Sequence, residues 1–304
     1  MIIPYSIGGS NTLVGKSWYH LYWEKNALGF RDPEPEKIYD HSKKNLVILG
    51  DSFAAGQGIK DPENRFVNLL RTRFNNDFNV FCVSKLGANT PEAISFLKVF
   101  PYSPDVVILA HTPNDIQRVV SKDRISALKG DTLNVSKIPM PKPATHYFTE
   151  HAFSINLFSF ILFLKKQRDQ YARSAQGGQG LEIFFQNKAN RYNYLGYYLE
   201  PELIDLHLSN IISLRTLYPE TKLIVLLFPN LNEITIDYSD RNVNQSIIKA
   251  LAATDIASIN LTPLISFLPE KQRIVNKYNF HPSEAIHKMV ADTLGTFLTL
   301  QKKE

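Results

Sequence analysis

The strongest constraint on the fold is a rhythm. Short, continuous apolar runs recur along the first half of the chain, each separated from the next by a stretch with helical patterning. Asn45 to Gly50 (NLVILG) reads as a first strand, Phe78 to Val83 as a second and Asp105 to Ala110 (DVVILA) as a third. Runs that are apolar at every position, rather than at alternate ones, belong to strands covered on both faces, as parallel strands are. Between them the spacing predicts helices over about Arg65 to Phe74 and Pro91 to Val99, and Ser103-Pro104 marks the start of the third strand. The pattern resumes with a helix over about Pro201 to Leu217, a strand at Lys222 to Phe228 (KLIVLLF), a helix near Asn244 to Ala253 and a short strand around Ala257 to Leu261. A closing helix runs to about Leu300, with Ser283 as its N-cap. Five strands linked in this way predict an α/β fold: a three-layer α/β/α sandwich around a doubly wound, parallel, five-stranded sheet of flavodoxin-like type.

The rhythm breaks between Gln117 and about Glu200. This stretch holds Pro139, Pro141 and Pro143, then the apolar run Ala152 to Leu164 (AFSINLFSFILFL), then Gly177-Gly178-Gln179-Gly180. It is too long for a simple connection. Residues 117–200 are therefore expected to form an inserted helical cap or lid within a single domain spanning 1–304. The Ala152 to Leu164 run is shorter than the roughly 20 residues that span a bilayer and stops at Lys165-Lys166, so a buried helix is expected there, with lipid contact as its other use.

Charge excludes some partners. The chain carries 34 basic and 29 acidic residues, a net +5, but these are scattered rather than gathered into basic runs with interleaved aromatics, so no nucleic-acid partner is expected. Cys82 is the single cysteine and lies in an apolar run, which excludes a disulfide scaffold. The opening residues, Met-Ile-Ile-Pro-Tyr-Ser-Ile-Gly-Gly-Ser, resemble no signal peptide; the expected location is the cytoplasm, or that of a soluble domain released from an N-terminal anchor. No H-E-x-x-H, paired Cys-x-x-Cys or G-x-x-x-x-G-K occurs, so neither a metal nor a cofactor is expected.

In doubly wound sheets ligands bind beyond the carboxyl ends of the strands, near the point where strand order reverses. Directly after the first strand stands Gly50-Asp51-Ser52-Phe53-Ala54-Ala55-Gly56. A serine there, entering a tight turn, presents its hydroxyl to the crevice with backbone amides close by, which suits a nucleophile; the competing use of Ser52 is to cap the next helix. Asp51 is expected to make structural hydrogen bonds. The second strand leads to Ser84-Lys85-Leu86-Gly87, where Gly87 lets the backbone approach a ligand and offer its amide. The third leads to His111-Thr112-Pro113-Asn114-Asp115, placing the Asn114 amide at the mouth of the same crevice. Near the C-terminus, Asn279-Phe280-His281-Pro282-Ser283 puts His281 on a loop before the last helix, the best-placed of eight histidines to act as a base. His287, inside that helix, is expected to pack or face solvent. Arg31 is expected to play a structural role rather than to reach a substrate.

These four blocks, in this order and at the ends of these elements, resemble the SGNH or GDSL-like hydrolase superfamily, over about Asn26 to Leu300 apart from the insertion. The lead-in Asn26-Ala27-Leu28-Gly29-Phe30-Arg31 is similar to that of a group of bacterial members. The resemblance implies a carboxylic ester hydrolase, an esterase or lipase acting through an acyl-enzyme. It implies Ser52 as nucleophile, His281 as base, and an oxyanion hole made of the Ser52 amide, the Gly87 amide and the Asn114 side chain. A lipid ester or an O-acetylated carbohydrate would be the substrate; an O-acyltransferase, or an inactive binding protein on the same fold, are the alternatives.

Two departures from the family pattern bear on the chemistry. Thr112 stands where the family's asparagine block opens with glycine. Tyr278 and Asn279 occupy the positions where an aspartate would orient the histidine. Three arrangements follow: Asn279 or a backbone carbonyl orients His281, a carboxylate from elsewhere, such as Asp115 or one in the inserted region, does so, or the site is inactive.

Overall fold

Leu46, Val47, Ile48 and Leu49 are all fully buried, as are Val80, Val83, Ile108, Ile224 and Val225 on neighbouring strands. Burial on both faces is what a continuous apolar run requires, and the strands answer it. The computed structural model describes residues 21–118, 198, 201–231, 243–276 and 279–301. Within these, strands β1 (Lys44–Gly50), β2 (Phe78–Ser84), β3 (Val106–His111), β4 (Lys222–Leu227) and β5 (Ala257–Asn260) form one sheet in the order β2-β1-β3-β4-β5. Every pairing is parallel.

This order makes the sheet doubly wound, with its switch point between β1 and β3. Helix α2 (Phe66–Arg73) connects β1 to β2, and α3 (Thr90–Lys98) connects β2 back across β1 to β3. The right-handedness of such crossovers puts these two helices on opposite faces. The final helix α8 (Glu284–Gln301) packs against α2. Helices α4 (Pro201–Leu217) and α5 (Val243–Leu251) pack together, and α4 also meets α3. Short helices α1 (Pro35–Ile38), α6 (Thr262–Ile265) and α7 (Glu270–Arg273) punctuate the connections. The expected three-layer architecture is the one observed.

Alternate residues of each strand serve the two layers. Leu46, Ile48, Val80, Cys82, Ile108, Ile224 and Leu226 pack with Phe66, Leu70, Val290 and Leu294 from α2 and α8. Helix α3 starts where the sequence permits: Asn89 and Glu92 form a reciprocal capping box, and Pro91 lies in the first turn, where its missing N–H costs nothing. At the start of α8 the Ile286 amide donates to Ser283 Oγ at 3.3 Å, as an N-cap should.

One expectation about position is corrected. His281 lies not on a loop but in a short strand, β7 (Asn279–Pro282), paired antiparallel with β6 (Ile274–Asn276). This second, two-stranded sheet is too short to carry a periodic signal, yet it holds Asn279 and His281 on one strand, between the pairs Asn276–Asn279 and Ile274–Pro282, with an irregularity in the register between them. The expected cap, residues 117–200, lies outside the described residues except for Gln117, Arg118 and Tyr198, and the Ala152 to Leu164 run lies wholly outside them. Among the described residues, no helix is long and apolar enough to cross a membrane.

Several buried polar groups brace this frame. Arg31 is buried and donates from Nη1 to the Gly56 carbonyl at 2.6 Å and from Nη2 to those of Ile59 at 2.6 Å and Tyr22 at 2.8 Å. Its guanidinium thus holds the loop that follows Ser52, a structural role, and five fixed donors explain why arginine suits it. Beside it Arg65 donates to the Arg31 carbonyl and, at 2.7 Å, to Asn68 Oδ1. His111 at the end of β3 and His207 on α4 are fully buried with their Nε2 atoms 2.8 Å apart. A separation that short fits one N–H donating to the other ring's lone pair, and leaves no room for a metal ion between two nitrogens that each need about 2 Å to it. His287 packs in the core: its ring stacks on Phe66 and its Nδ1 accepts the Phe66 amide at 3.2 Å.

Candidate active site

The carboxyl ends of β1, β2 and β3 lie level, because Gly50 is in register with Ser84 on one side and with Ala110 on the other. Ser52, Gly87 and Asn114 follow the ends of their strands by two, three and three residues respectively, so all three emerge at the same edge of the sheet, beside the switch point. Past β1 the chain winds through tight turns, with the Ala55 amide donating to Asp51 O at 3.0 Å and the Gln57 amide to Ser52 O at 2.9 Å. Asp51 serves as the cap of this turn, accepting the Phe53 amide at 2.8 Å. Ser52 is thereby released from capping, and its hydroxyl faces His281 instead.

The Ser52 Oγ lies 2.9 Å from His281 Nε2, and His281 Nδ1 lies 2.5 Å from Asn279 Oδ1. Asn279 Oδ1 also accepts the His281 backbone amide at 3.2 Å, which closes an Asx turn and ties the amide side chain to the strand that carries the histidine. An acceptor at Nδ1 selects the tautomer with its proton there, leaving the Nε2 lone pair free to take the serine proton. Phe53 packs against the imidazole in an edge-type arrangement, with ring centroids 5.5 Å apart and planes at 63°. Burial pushes the His281 pKa down to about 4, so the ring is neutral at pH 7.

Asn279, not Asp115, is the candidate in hydrogen-bond contact with His281. Asp115 is buried and turned elsewhere, its Oδ2 accepting the Thr112 amide at 3.2 Å. Burial, and then the nearby charge of Asp51, hold the Asp115 carboxyl well above the usual carboxylate range. Burial likewise pushes the Asp51 carboxyl up to about 6.

Two glycines make the arrangement possible. Gly58 has φ +100°, and a Cβ there would sit 2.5 Å from Val275 Cγ2 and 2.9 Å from Asn279 Nδ2, so any side chain would push directly on the amide that meets His281. Gly87 has φ +66° and occupies the third position of a turn closed by the Ala88 amide donating to Lys85 O at 3.2 Å. That conformation is open to glycine at little cost and leaves the backbone bare at the rim of the crevice. Asn114 is exposed, in a short 3-10 segment (Pro113–Arg118), with its Oδ1 2.6 Å from Thr112 Oγ1.

Sequence reasoning did not anticipate the contribution of Gly58, although the Gly56-Gln57-Gly58 spacing directly after the serine block was a visible signal. Nor did it anticipate the Thr112 hydroxyl, which also lies 3.1 Å from Asp51 Oδ2 and so joins the serine loop to the asparagine loop. Among the described residues, no group of three His, Cys, Asp or Glu side chains could hold a metal ion.

No protein-family model and no curated protein sequence matches the chain. Solved structures do. Phospholipase A1 from Streptomyces albidoflavus NA297 is similar at 15% identity and a TM-score of 0.47, covering 86% of this chain and 100% of its own. TesA is similar at 14% identity and a TM-score of 0.46, covering 85% of this chain and 99% of its own. The lipase/acylhydrolase from Enterococcus faecalis is similar at 12% identity and a TM-score of 0.46, covering 85% of this chain and 96% of its own.

Proposed function

We propose that the protein is a serine ester hydrolase of the SGNH class, with Ser52 as nucleophile and His281 as general base. The observation that carries this reading is the relay Ser52 Oγ, His281 Nε2, His281 Nδ1, Asn279 Oδ1, with links of 2.9 and 2.5 Å, at the carboxyl edge of a doubly wound parallel sheet. In the first half-reaction Ser52 Oγ bonds to the ester carbonyl carbon while its proton passes to His281 Nε2. The bond to the alkoxy oxygen then breaks, and His281 returns the proton to the departing alcohol. Water next attacks the acyl-enzyme, again losing its proton to His281, and the carboxylic acid leaves as Ser52 regains the proton. The negative charge that develops on the carbonyl oxygen in each step is received by the amides of Ser52 and Gly87 and by the Asn114 side chain. The acyl group is carried by a lipid ester or an O-acetylated carbohydrate; with a sugar hydroxyl in place of water the same steps make an O-acyltransferase.

A second reading, a binding protein that no longer turns over ester, draws on the neutral amide at the orienting position, since an amide stabilises an imidazolium less than a carboxylate does. A fluorophosphonate probe separates the two. The proposed mechanism requires covalent phosphonylation of Ser52, located by peptide mass spectrometry, and its near-complete loss in His281→Ala. An unmodified Ser52 in the folded wild type would favour the binding protein.

A further inference from the structure

We propose that Thr112 is a positioning residue that fixes the orientation of the Asn114 amide, so that its NH2 group rather than its oxygen faces the oxyanion; this rests on the ester-hydrolase reading. The Thr112 hydroxyl lies between two acceptors, 2.6 Å from Asn114 Oδ1 and 3.1 Å from Asp51 Oδ2. It has one proton to give. A contact of 2.6 Å falls in the range of an O–H···O bond and is short for N–H···O, whose usual length is about 2.9 to 3.0 Å. The Asn114 atom turned toward Thr112 is therefore its oxygen, and the hydroxyl proton points to it. The 3.1 Å approach to Asp51 is long for a hydroxyl donating to a carboxylate, which leaves Asn114 as the preferred acceptor.

Orientation matters here because an asparagine side chain is a donor on one side and an acceptor on the other. Flipped, it would aim a partial negative charge at the developing oxyanion. Asn114 is exposed, so little packing opposes a flip, whereas Thr112 is buried and held rigidly. Its amide donates to Asp115 Oδ2 at 3.2 Å and its carbonyl accepts the Asp115 amide at 3.0 Å. A glycine at this position would offer Asn114 no such donor. The departure of this chain from the family pattern thus supplies a fixed hydroxyl beside the oxyanion-hole amide.

The test measures kcat and KM for a p-nitrophenyl ester in Thr112→Val, Thr112→Ser, Asn114→Ala and the double variant Thr112→Val/Asn114→Ala. Loss of a whole oxyanion donor costs about 10² to 10³ in kcat, and loss of its orientation should cost about 10- to 100-fold. Thr112→Val is expected to lose that factor in kcat with KM nearly unchanged, and Thr112→Ser, which keeps the donor, to return within about threefold of wild type. In the Asn114→Ala background the valine substitution should add almost nothing, because there is no amide left to orient. Equal effects of Thr112→Val with and without Asn114, or a lowered melting temperature with unchanged kcat, would reduce Thr112 to a structural staple and overturn the proposal alone. If Thr112→Val does not fold, Thr112→Ala enters the same cycle under the same criteria. Absence of turnover in the wild type would overturn both this proposal and the hydrolase reading.

Discussion

Asn279→Asp should raise kcat/KM by about 10- to 100-fold at pH 8, and Asn279→Leu should lower it by about 10²- to 10³-fold. The asparagine holds the ring in the right tautomer but brings no charge, and with burial pressing the other way the His281 pKa falls to about 4. A general base works best when its pKa lies near the operating pH. Each unit below that makes the uptake of the serine proton harder by about 1.4 kcal/mol. An aspartate of the same shape can accept the same two bonds, from His281 Nδ1 and the His281 amide, while its charge favours the imidazolium. An opposite charge at that distance raises a pKa by about 1 to 3 units, so the acid limb of the rate profile should move up by that amount. The gain stays well below the roughly ten-thousandfold that separates aspartate from asparagine in a working triad. Two features limit it: position 279 is buried, which disfavours a carboxylate, and its second oxygen would face the crowded backbone at Gly58. Leucine removes the acceptor altogether and leaves a half-buried N–H unpaired beside a ring free to turn. A pH series of kcat/KM for the three proteins checks both directions. A slower Asn279→Asp enzyme with an unmoved acid limb would mean that Asn279 does not govern His281.

The folded protein should lose stability steadily as the pH falls below about 6.5. Burial pushes the pKa of His207 to about 4, that of His287 to about 3 and that of His111 well below its usual value, and all three side chains are fully buried. A depressed histidine pKa means that the unfolded chain takes up the proton first, so the stability is whole above about 6.5 and is lost as the pH drops toward 4. Asp51 and Asp115 act in the opposite sense. Their carboxyls, raised by burial, protonate in the folded state before the unfolded one, which adds stability as the pH falls through about 6. Three core histidines and the half-buried His281 outweigh two carboxyls, so near pH 5 the unfolded chain binds more protons than the folded one. Each extra proton bound by the unfolded chain corresponds to a slope on the order of 1 kcal/mol per pH unit. Urea unfolding at half-unit steps from pH 7.5 to 4.5 reads this slope, and a stability that stays level or rises between pH 6.5 and 5 would contradict it.

Strands β1 to β4 were legible to within a residue or two because each is mainly apolar, as a buried parallel strand requires, whereas β5, half-buried and holding Ser258 and Asn260, was legible chiefly from its place in the strand–helix alternation. Helix α4 was legible at both ends, Pro201 opening it and the helical pattern stopping at Leu217. The β6–β7 hairpin was not, since its strands have three and four residues, include Pro282 and show no alternation. That is why His281 was expected on a loop. The blocks bearing Ser52, Gly87, Asn114 and His281 stood out by their places at element ends, but which group meets His281 did not, because Asn279 and Asp115 both had suitable chemistry and only the fold turns Asp115 away. The pair of His111 and His207 was invisible: 96 residues separate them, and neither lies in a motif. Thr112 was visible only as a departure; its bond to Asn114 depends on a hydroxyl direction that no spacing encodes.

The most direct test of the account is hydrolysis of p-nitrophenyl acetate, butyrate and octanoate by the wild type beside Ser52→Ala and His281→Ala. The account predicts measurable turnover in the wild type, a fall of at least about 10³-fold in each variant, and a chain-length preference that separates deacetylation from the use of lipid esters. Turnover that survives in Ser52→Ala, or a folded wild type no faster than its two variants, would contradict it.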